Sequence, residues 1–271
     1  MTKVIARREI SDAKPVWMMP IIHVPLQQAF PALGEVKEFS NKICLFNHDR
    51  TKVFDVVSPK YQVIEHGDAY ARINRALKTH FHKEVSCNVR SFNQGARIRA
   101  EFKLPVPPIR LGKTDVSELT LVLRNSYDRC WSFSALLGAF RLICSNGMMI
   151  GTQFAGIKGK HVGTLDDASM LASLEHMIGQ APRLKDVWEE WQDTTLSRIE
   201  VEELLENQFP KKYLDPIFAE RWEDQSKWDL YNKLTAFATH DTRSLQRRVE
   251  FDEKIAKLFY GDIEDGELIE G

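Results

Sequence analysis

The sequence predicts an α+β protein: an antiparallel β-sheet core with a packed helix, followed by an α-helical C-terminal region and an acidic tail. Three observations predict it. Short apolar runs bounded by turn residues recur through residues 41–136, and over Val85–Leu104 apolar and polar residues alternate with period two, for example Ile98, Ala100 and Phe102 between Arg97, Arg99 and Glu101. From Leu165 onward the apolar residues recur at helical spacing, as in Met170, Leu171, Leu174, Met177 and Ile178. The charge reverses at the same place: residues 1–165 hold 24 Lys+Arg and 13 Asp+Glu, a net of +11, and residues 166–271 hold 13 and 25, a net of −12.

That division gives four expected segments: an extended arm over 1–40, a basic β-rich domain over 41–165, an acidic helical region over 166–260 and a disordered acidic tail over 261–271. The arm is spotted with Pro15, Pro20, Pro25 and Pro31 and is apolar around Trp17 and Ile21, so it is expected to pack with little regular structure. Lys42–Asn47 and Lys52–Val57 form two short apolar runs around a His48–Thr51 turn, the pattern of a hairpin. Tyr61–Ile64 reads as a third extended piece. Gly67–Phe81 carries Tyr70, Ile73, Leu77 and Phe81 on one helical face, with Asp68 in the first turn.

A second hairpin follows, Val85–Val89 and Ala96–Leu104 around Asn93-Gln94-Gly95, with Arg97, Arg99 and Lys103 on one face. Pro105–Glu118 reads as an exposed basic loop. Leu119–Asn125 and Cys130–Leu136 read as a strand pair, which Phe140–Cys144 either extends or ends. Gly151–Thr164, with four glycines and no acid, is either a flexible loop or a hairpin of close backbone approach. Helices are expected around 170–178, continuing or followed by a neighbour through Ile199, and again over 200–208, 227–240 and 244–259.

Several classes are set aside. Hydrophobic residues make up 43% and charged residues 28%, a globular composition. No run approaches the roughly 20 apolar residues of a membrane span, and the opening MTKVIARREISDAKP lacks the apolar core of a secretory signal. Cys44, Cys87, Cys130 and Cys144 form no C-x-x-C pair and no cluster with histidine, so reduced thiols and no metal are expected. His80 and His82 are two apart, the wrong spacing for one helical face. Gly156–His161 lacks the P-loop spacing, and no cofactor is expected.

The chemistry that remains is electrostatic. Residues 83–161 hold 12 Lys+Arg against 5 Asp+Glu, with Phe92, Phe102, Tyr127, Trp131, Phe133, Phe140 and Phe154 interleaved. Single-stranded nucleic acid needs a cationic groove and aromatic faces, and this stretch has both residue types. For any one of these aromatics the commoner role is in a core beneath a solvated sheet face, so the charge surplus is the better sign. Arg124–Arg129 (RNSYDR) is either turn chemistry or a set of phosphate and base contacts at a strand end. The acidic tail is either a solubilising terminus or a tethered competitor for the groove.

Ser58–Tyr61 (SPKY), Asn125–Asp128 (NSYD), Arg141–Met148 (RLICSNGM), Lys158–His161 (KGKH) and Trp228–His240 (WDLYNKLTAFATH) resemble, in order and spacing, the phage- and plasmid-encoded family called domain of unknown function 932. The resemblance covers residues 40–245. It departs from the family pattern at Arg129, where a small residue is usual. It implies mobile-element biology in a bacterial cytoplasm and leaves the chemistry unassigned. The order of helix, antiparallel strands and helices is also similar to that of single-strand annealing proteins of the RecT and Red-beta kind, an analogy of topology alone.

The sequence therefore leads to an expected DNA-associated protein that binds single-stranded DNA, promoting annealing as a homo-oligomer, without a membrane. Arg90, Arg97, Arg99, Lys103, Arg110, Lys113, Arg124, Asn125, Arg129 and Arg141 are the expected contacts, Tyr127 and Trp131 the stacking rings, and Lys158, Lys160 and His161 a closing loop. Two rivals stand beside it. An interaction protein directed at a host protein partner has no use for exposed stacking aromatics. A nucleic-acid-processing enzyme needs Asp128 and Asn125 to converge with a histidine such as His161 or His240. Asn232, Thr235 and His240 either form a site or tie helices to the sheet.

Overall fold

Two antiparallel hairpins and a long helix set the frame on which the C-terminal helices close. The computed structural model describes residues 15–33, 38, 41–111, 115–141, 146–149, 156–159, 167–206, 208–209, 211–218, 224–242 and 244–260. The fold is mixed α+β, with antiparallel sheets in the N-terminal half and helices in the C-terminal part.

The described part of the N-terminal arm has more structure than its prolines suggest. After a single 3-10 turn at Val16–Met18, strand β1 (Ile22–Pro25) pairs with β2 (Ile43–Phe46), and a one-turn helix α1 (Leu26–Ala29) leaves it. Burial of Ile21 and Val24 anchors the segment. Strand β1 lies at the edge of its sheet, where a proline removes no ladder bond needed from a second neighbour. Strand β3 (Val53–Val57) completes this three-stranded sheet. The Asn47 carboxamide closes the β2–β3 turn, donating to Thr51 Oγ1 at 2.9 Å and accepting from the Lys52 N–H at 2.9 Å. Tyr61–Ile64 forms no strand.

Helix α2 (His66–Phe81) buries Ala69, Ile73, Ala76 and Leu77 along one stripe and ends in left-handed His82 (φ 54°). Strands β4 (Cys87–Phe92) and β5 (Arg97–Lys103) form the expected hairpin. Its turn needs three successive positive φ values, at Asn93 (52°), Gln94 (57°) and Gly95 (92°), which suits this Asn-Gln-Gly run.

The expected basic loop contains a strand. In β6 (Ile109–Leu111) the alternation Ile-Arg-Leu buries both apolar residues and exposes Arg110, and β6 pairs with the start of β7 (Asp115–Ser126). Strand β8 (Phe133–Arg141) begins later than expected and runs on through Phe140. Strands β9 (Asn146–Met149) and β10 (Gly156–Gly159) both pair with β8, giving the main sheet the order β10-β8-β7-β5-β4.

The inner face of this sheet is apolar. Ile98, Ala100, Phe102, Leu121, Leu123, Phe133, Ala135 and Leu137 share one core with α2 and the C-terminal helices. Each large side chain buried this way contributes about 1.5–3 kcal/mol. Helix α3 (Asp167–Asp193) is continuous through Pro182 and supplies Leu174, Leu184, Trp188 and Trp191. Helix α4 (Arg198–Leu205) starts on a Ser197/Glu200 capping box, and helix α5 (Lys211–Phe218) had no counterpart in the sequence reading. Two-residue strands β11 (Thr195–Leu196) and β12 (Gln225–Ser226) pair with each other.

Helix α6 (Lys227–Ala236) passes directly into a π turn at Phe237–Asp241, and helix α7 (Leu245–Tyr260) follows. Trp188, Trp191, Trp228, Tyr231, Phe259 and Tyr260 form an aromatic cluster, with Trp188 and Trp228 ring centroids 5.1 Å apart. The Trp228 indole N–H donates to Asp115 Oδ2 at 3.1 Å, fastening α6 to the first residue of β7. The acidic tail expected over 261–271 lies outside the described residues. No described helix is long and apolar enough to cross a membrane.

Candidate nucleic-acid interface

Strand register decides which basic residues meet. Opposite the apolar core, the outer sheet face carries one row running across the strands: Arg90 faces Arg99, Arg99 faces Arg124, Arg124 faces Ser134, and Ser134 faces Lys158. Three arginines directly opposed repel one another unless carboxylates intervene. Glu101 accepts from Arg99 Nε at 2.8 Å. Helix α7 lies against this face and brings two more carboxylates, Asp252 at 3.7 Å from Arg99 Nη1 and Glu253 at 3.2 Å from Arg124 Nη2.

The middle of the row is thereby closed. Arg99 and Arg124 are 5% and 3% exposed, and Asp252 is 3% exposed. Burial draws the Arg124 guanidinium below its ordinary value, against the opposing pull of Glu253. Burial likewise pushes the Asp252 carboxyl up, while Arg99, Arg248 and Arg124 pull it down without fully offsetting the shift. The Arg124 Nε, the Arg248 Nε and both Asp252 oxygens lack hydrogen-bond partners among the described residues. Four arginines (90, 99, 124, 248) thus gather around three carboxylates (101, 252, 253). Arg90 is exposed at the open end and pairs with no described acid.

The other expected contacts are dispersed. Arg97 donates to Asp128 Oδ2 at 2.7 Å, and Lys103 donates to Glu118 Oε1 at 2.6 Å. Arg129 is ion-paired with Asp55. Arg110 is exposed on β6, away from the row. Arg141 and Lys158 are placed by their strands alone, and Lys113, Lys160 and His161 lie outside the described residues.

Two expectations are corrected. Tyr127 is 2% exposed and Trp131 is 6% exposed, so neither ring presents a stacking face. Tyr127 stacks instead on His66 (3.8 Å between centroids) and Phe54 (5.5 Å), and Trp131 lies beneath the Arg97 guanidinium. Burial pushes the Tyr127 phenol well up. Asn125, expected as a base contact, is fully buried: its amide donates to Ile64 O at 2.7 Å and lies 2.9 Å from His66 Nδ1. With His66 Nε2 3.1 Å from Gly95 O, the consistent tautomer carries its proton on Nε2.

The Asn-Ser-Tyr-Asp block is therefore a corner that joins four elements. Ser126 Oγ both donates to Trp131 O and accepts the Trp131 N–H, closing the turn. Asp128 accepts from Arg97, from Asn93 Nδ2 at 3.1 Å and from the Cys130 N–H. Burial opposes ionisation of Asp128, but those hydrogen bonds outweigh it and hold the carboxyl below its usual value. Arg129 has φ 55°, which explains why a small residue suits this position and what the ion pair to Asp55 offsets. Asp128 and Asn125 do not share a pocket: the histidine beside Asn125 is His66, in the interior. His240 is exposed at the π turn.

Asn232 and Thr235 turn back on their own helix. Asn232 Nδ2 donates to Trp228 O at 2.8 Å and Thr235 Oγ1 to Tyr231 O at 3.0 Å. Helix α6 and the π turn pack on β9, so the Trp-Asp…His block and the Asn-Gly-Met segment of the Arg-x-x-Cys block touch. His66, Arg248, Asp252 and Glu253 went unnoticed in the sequence. Helical spacing puts Arg248 and Asp252 on one side of α7, the single signal that a charged helix face was buried.

The fold defines an α+β protein in which a polar corner ties the main sheet to α2 and the three-stranded sheet, while the C-terminal helices pack on the main sheet through a shared core. Residues 53–259 match the family described as Domain of unknown function (DUF932), and the chain belongs to that family. No solved structure matches the chain.

Proposed function

We infer that this DUF932 protein is DNA-associated and binds single-stranded DNA through its phosphates, along the outer face of the main sheet. The observation that carries this reading is Arg90, exposed at the open end of a row that continues into buried Arg99 and Arg124, where four arginines with Arg248 stand around three carboxylates. Phosphate contacts position a strand without reading its sequence. With Tyr127 and Trp131 buried, stacking adds little, and affinity depends on charge.

Fluorescence anisotropy with labelled single- and double-stranded DNA of equal length, at about 50 and 200 mM salt, tests the reading. Single-strand binding that weakens steeply between those salts supports it. No binding at the lower salt overturns it.

The second reading is an interaction protein directed at another protein. The burial of both expected stacking rings favours it, because an interface of that kind has no use for them. Loss of DNA binding together with capture of a defined acidic protein moves the assignment there.

A further inference from the structure

A recess of about 340 Å³ opens on the outer face beside the arginine row, lined by Asn88, Arg99, Glu101, Lys103, Glu118 and Thr120, with Val122 beneath. On its β8 side the position opposite Thr120 is Gly138, which adds no side chain to this face. The volume lies at the lower end of the range for small-ligand sites, the size of one nucleotide.

The lining pairs donors with spare acceptors. Arg99 occupies one oxygen of Glu101 and Lys103 one oxygen of Glu118, and each carboxylate retains lone pairs for further donors. The side chains of Asn88 and Thr120 make no hydrogen bond to another described residue. Exposed Arg90 lies two residues from Asn88 on the same face of β4, a separation of about 7 Å, the span between a base and a neighbouring phosphate.

We propose that this recess receives a single nucleobase bearing an exocyclic amino group, cytosine before thymine, from a strand whose phosphate rests at Arg90. Glu101 or Glu118 accepts from the amino group, and Asn88, Thr120 and Lys103 donate to the ring acceptors. Thymine presents a carbonyl oxygen where cytosine presents the amino group, and that oxygen meets a carboxylate. The inference rests on the phosphate-binding reading above and adds base selection to it.

The test compares homopolymers of dC and dT, equal in length and charge, by anisotropy at low salt. The wild type binds the dC oligomer about tenfold more tightly. Glu101→Gln with Glu118→Gln removes that preference while salt-dependent binding persists, and Thr120→Val reduces it. Glu101→Gln removes a carboxylate beside buried Arg99, so urea unfolding checks that the double variant folds, and Glu118→Gln alone, whose partner Lys103 is exposed, reduces the preference where the double variant does not fold. Free dCMP competes with the oligomer more effectively than dTMP. Equal binding of the two oligomers by the wild type, or an unchanged preference in the double variant, overturns the recess and leaves the phosphate reading standing. dCMP binding without oligomer binding keeps the recess, assigns it to a free nucleotide and removes the strand. No binding of either probe overturns both.

Discussion

His66 and Tyr127 meet twice. Their rings stack at 3.8 Å between centroids, and the His66 backbone N–H donates to the Tyr127 hydroxyl at 2.8 Å. That N–H belongs to the first residue of α2, where no carbonyl of the helix can accept it. Tyr127, from the corner after β7, therefore acts as the cap of a helix 61 residues upstream. Tyr127→Phe keeps the stack and removes the acceptor, leaving a buried donor unpaired. It costs about 1–3 kcal/mol, read as a lower urea midpoint, and leaves oligonucleotide affinity unchanged.

Arg129 offers a backbone comparison. Its φ of 55° favours glycine, while its side chain gains an ion pair with Asp55. Arg129→Ala loses the pair and keeps the backbone cost. Arg129→Gly loses the pair and removes the cost. The glycine variant unfolds at higher denaturant than the alanine variant, by about 1 kcal/mol in stability.

Asp128 ties stability to pH. Its folded value lies below the ordinary carboxylate value, so the folded state binds its proton less readily than the unfolded chain does. The stability it contributes is fully present above the unfolded value near 4 and is lost as pH falls through the folded value. Asp128→Asn lowers stability at pH 7 by about 2 kcal/mol. Its stability curve over the acid range below pH 5 is flatter than that of the wild type, as measured by thermal unfolding across pH.

Both hairpins, α2 and the last two helices were legible because each is governed by its own few residues. Asn47 closes one turn, Gly95 permits another, and the stripe of Ile73 and Leu77 needs no distant partner to be recognised. The candidate site was less legible because register and tertiary burial decide it. Nothing local distinguishes Arg99, covered by Asp252 from 153 positions onward, from Arg90, which stays open. Tyr127 and Trp131 carry polar atoms and sit in a polar block, so their burial followed only from the corner that Ser126 and Asn125 build.

Arg90 is the open cation of the row, and its removal separates charge from folding. Arg90→Gln lowers affinity for single-stranded DNA and reduces the slope of log affinity against log salt by about one. Stability changes by less than about 0.5 kcal/mol, because the side chain is exposed and pairs with no described acid.

Thr235 tests whether α6 carries chemistry or only packing. Its hydroxyl bonds to carbonyls of its own helix that already sit in the helical ladder. Thr235→Val therefore changes stability by less than about 1 kcal/mol in either direction. A variant that keeps its unfolding midpoint but loses DNA binding assigns the hydroxyl a functional role.

The bond between Trp228 and Asp115 has a consequence for the order in which the molecule can be made. Asp115 opens the longest strand, yet the indole that engages its carboxylate is synthesised 113 residues later. A chain growing from its N-terminus can close the early hairpins and α2 while still attached to the ribosome. The end of the sheet that meets α6 waits for the final quarter of synthesis, since contacts of such separation form late. Until then the apolar face around Leu119 and Leu121 lacks the cover that the C-terminal helices give it.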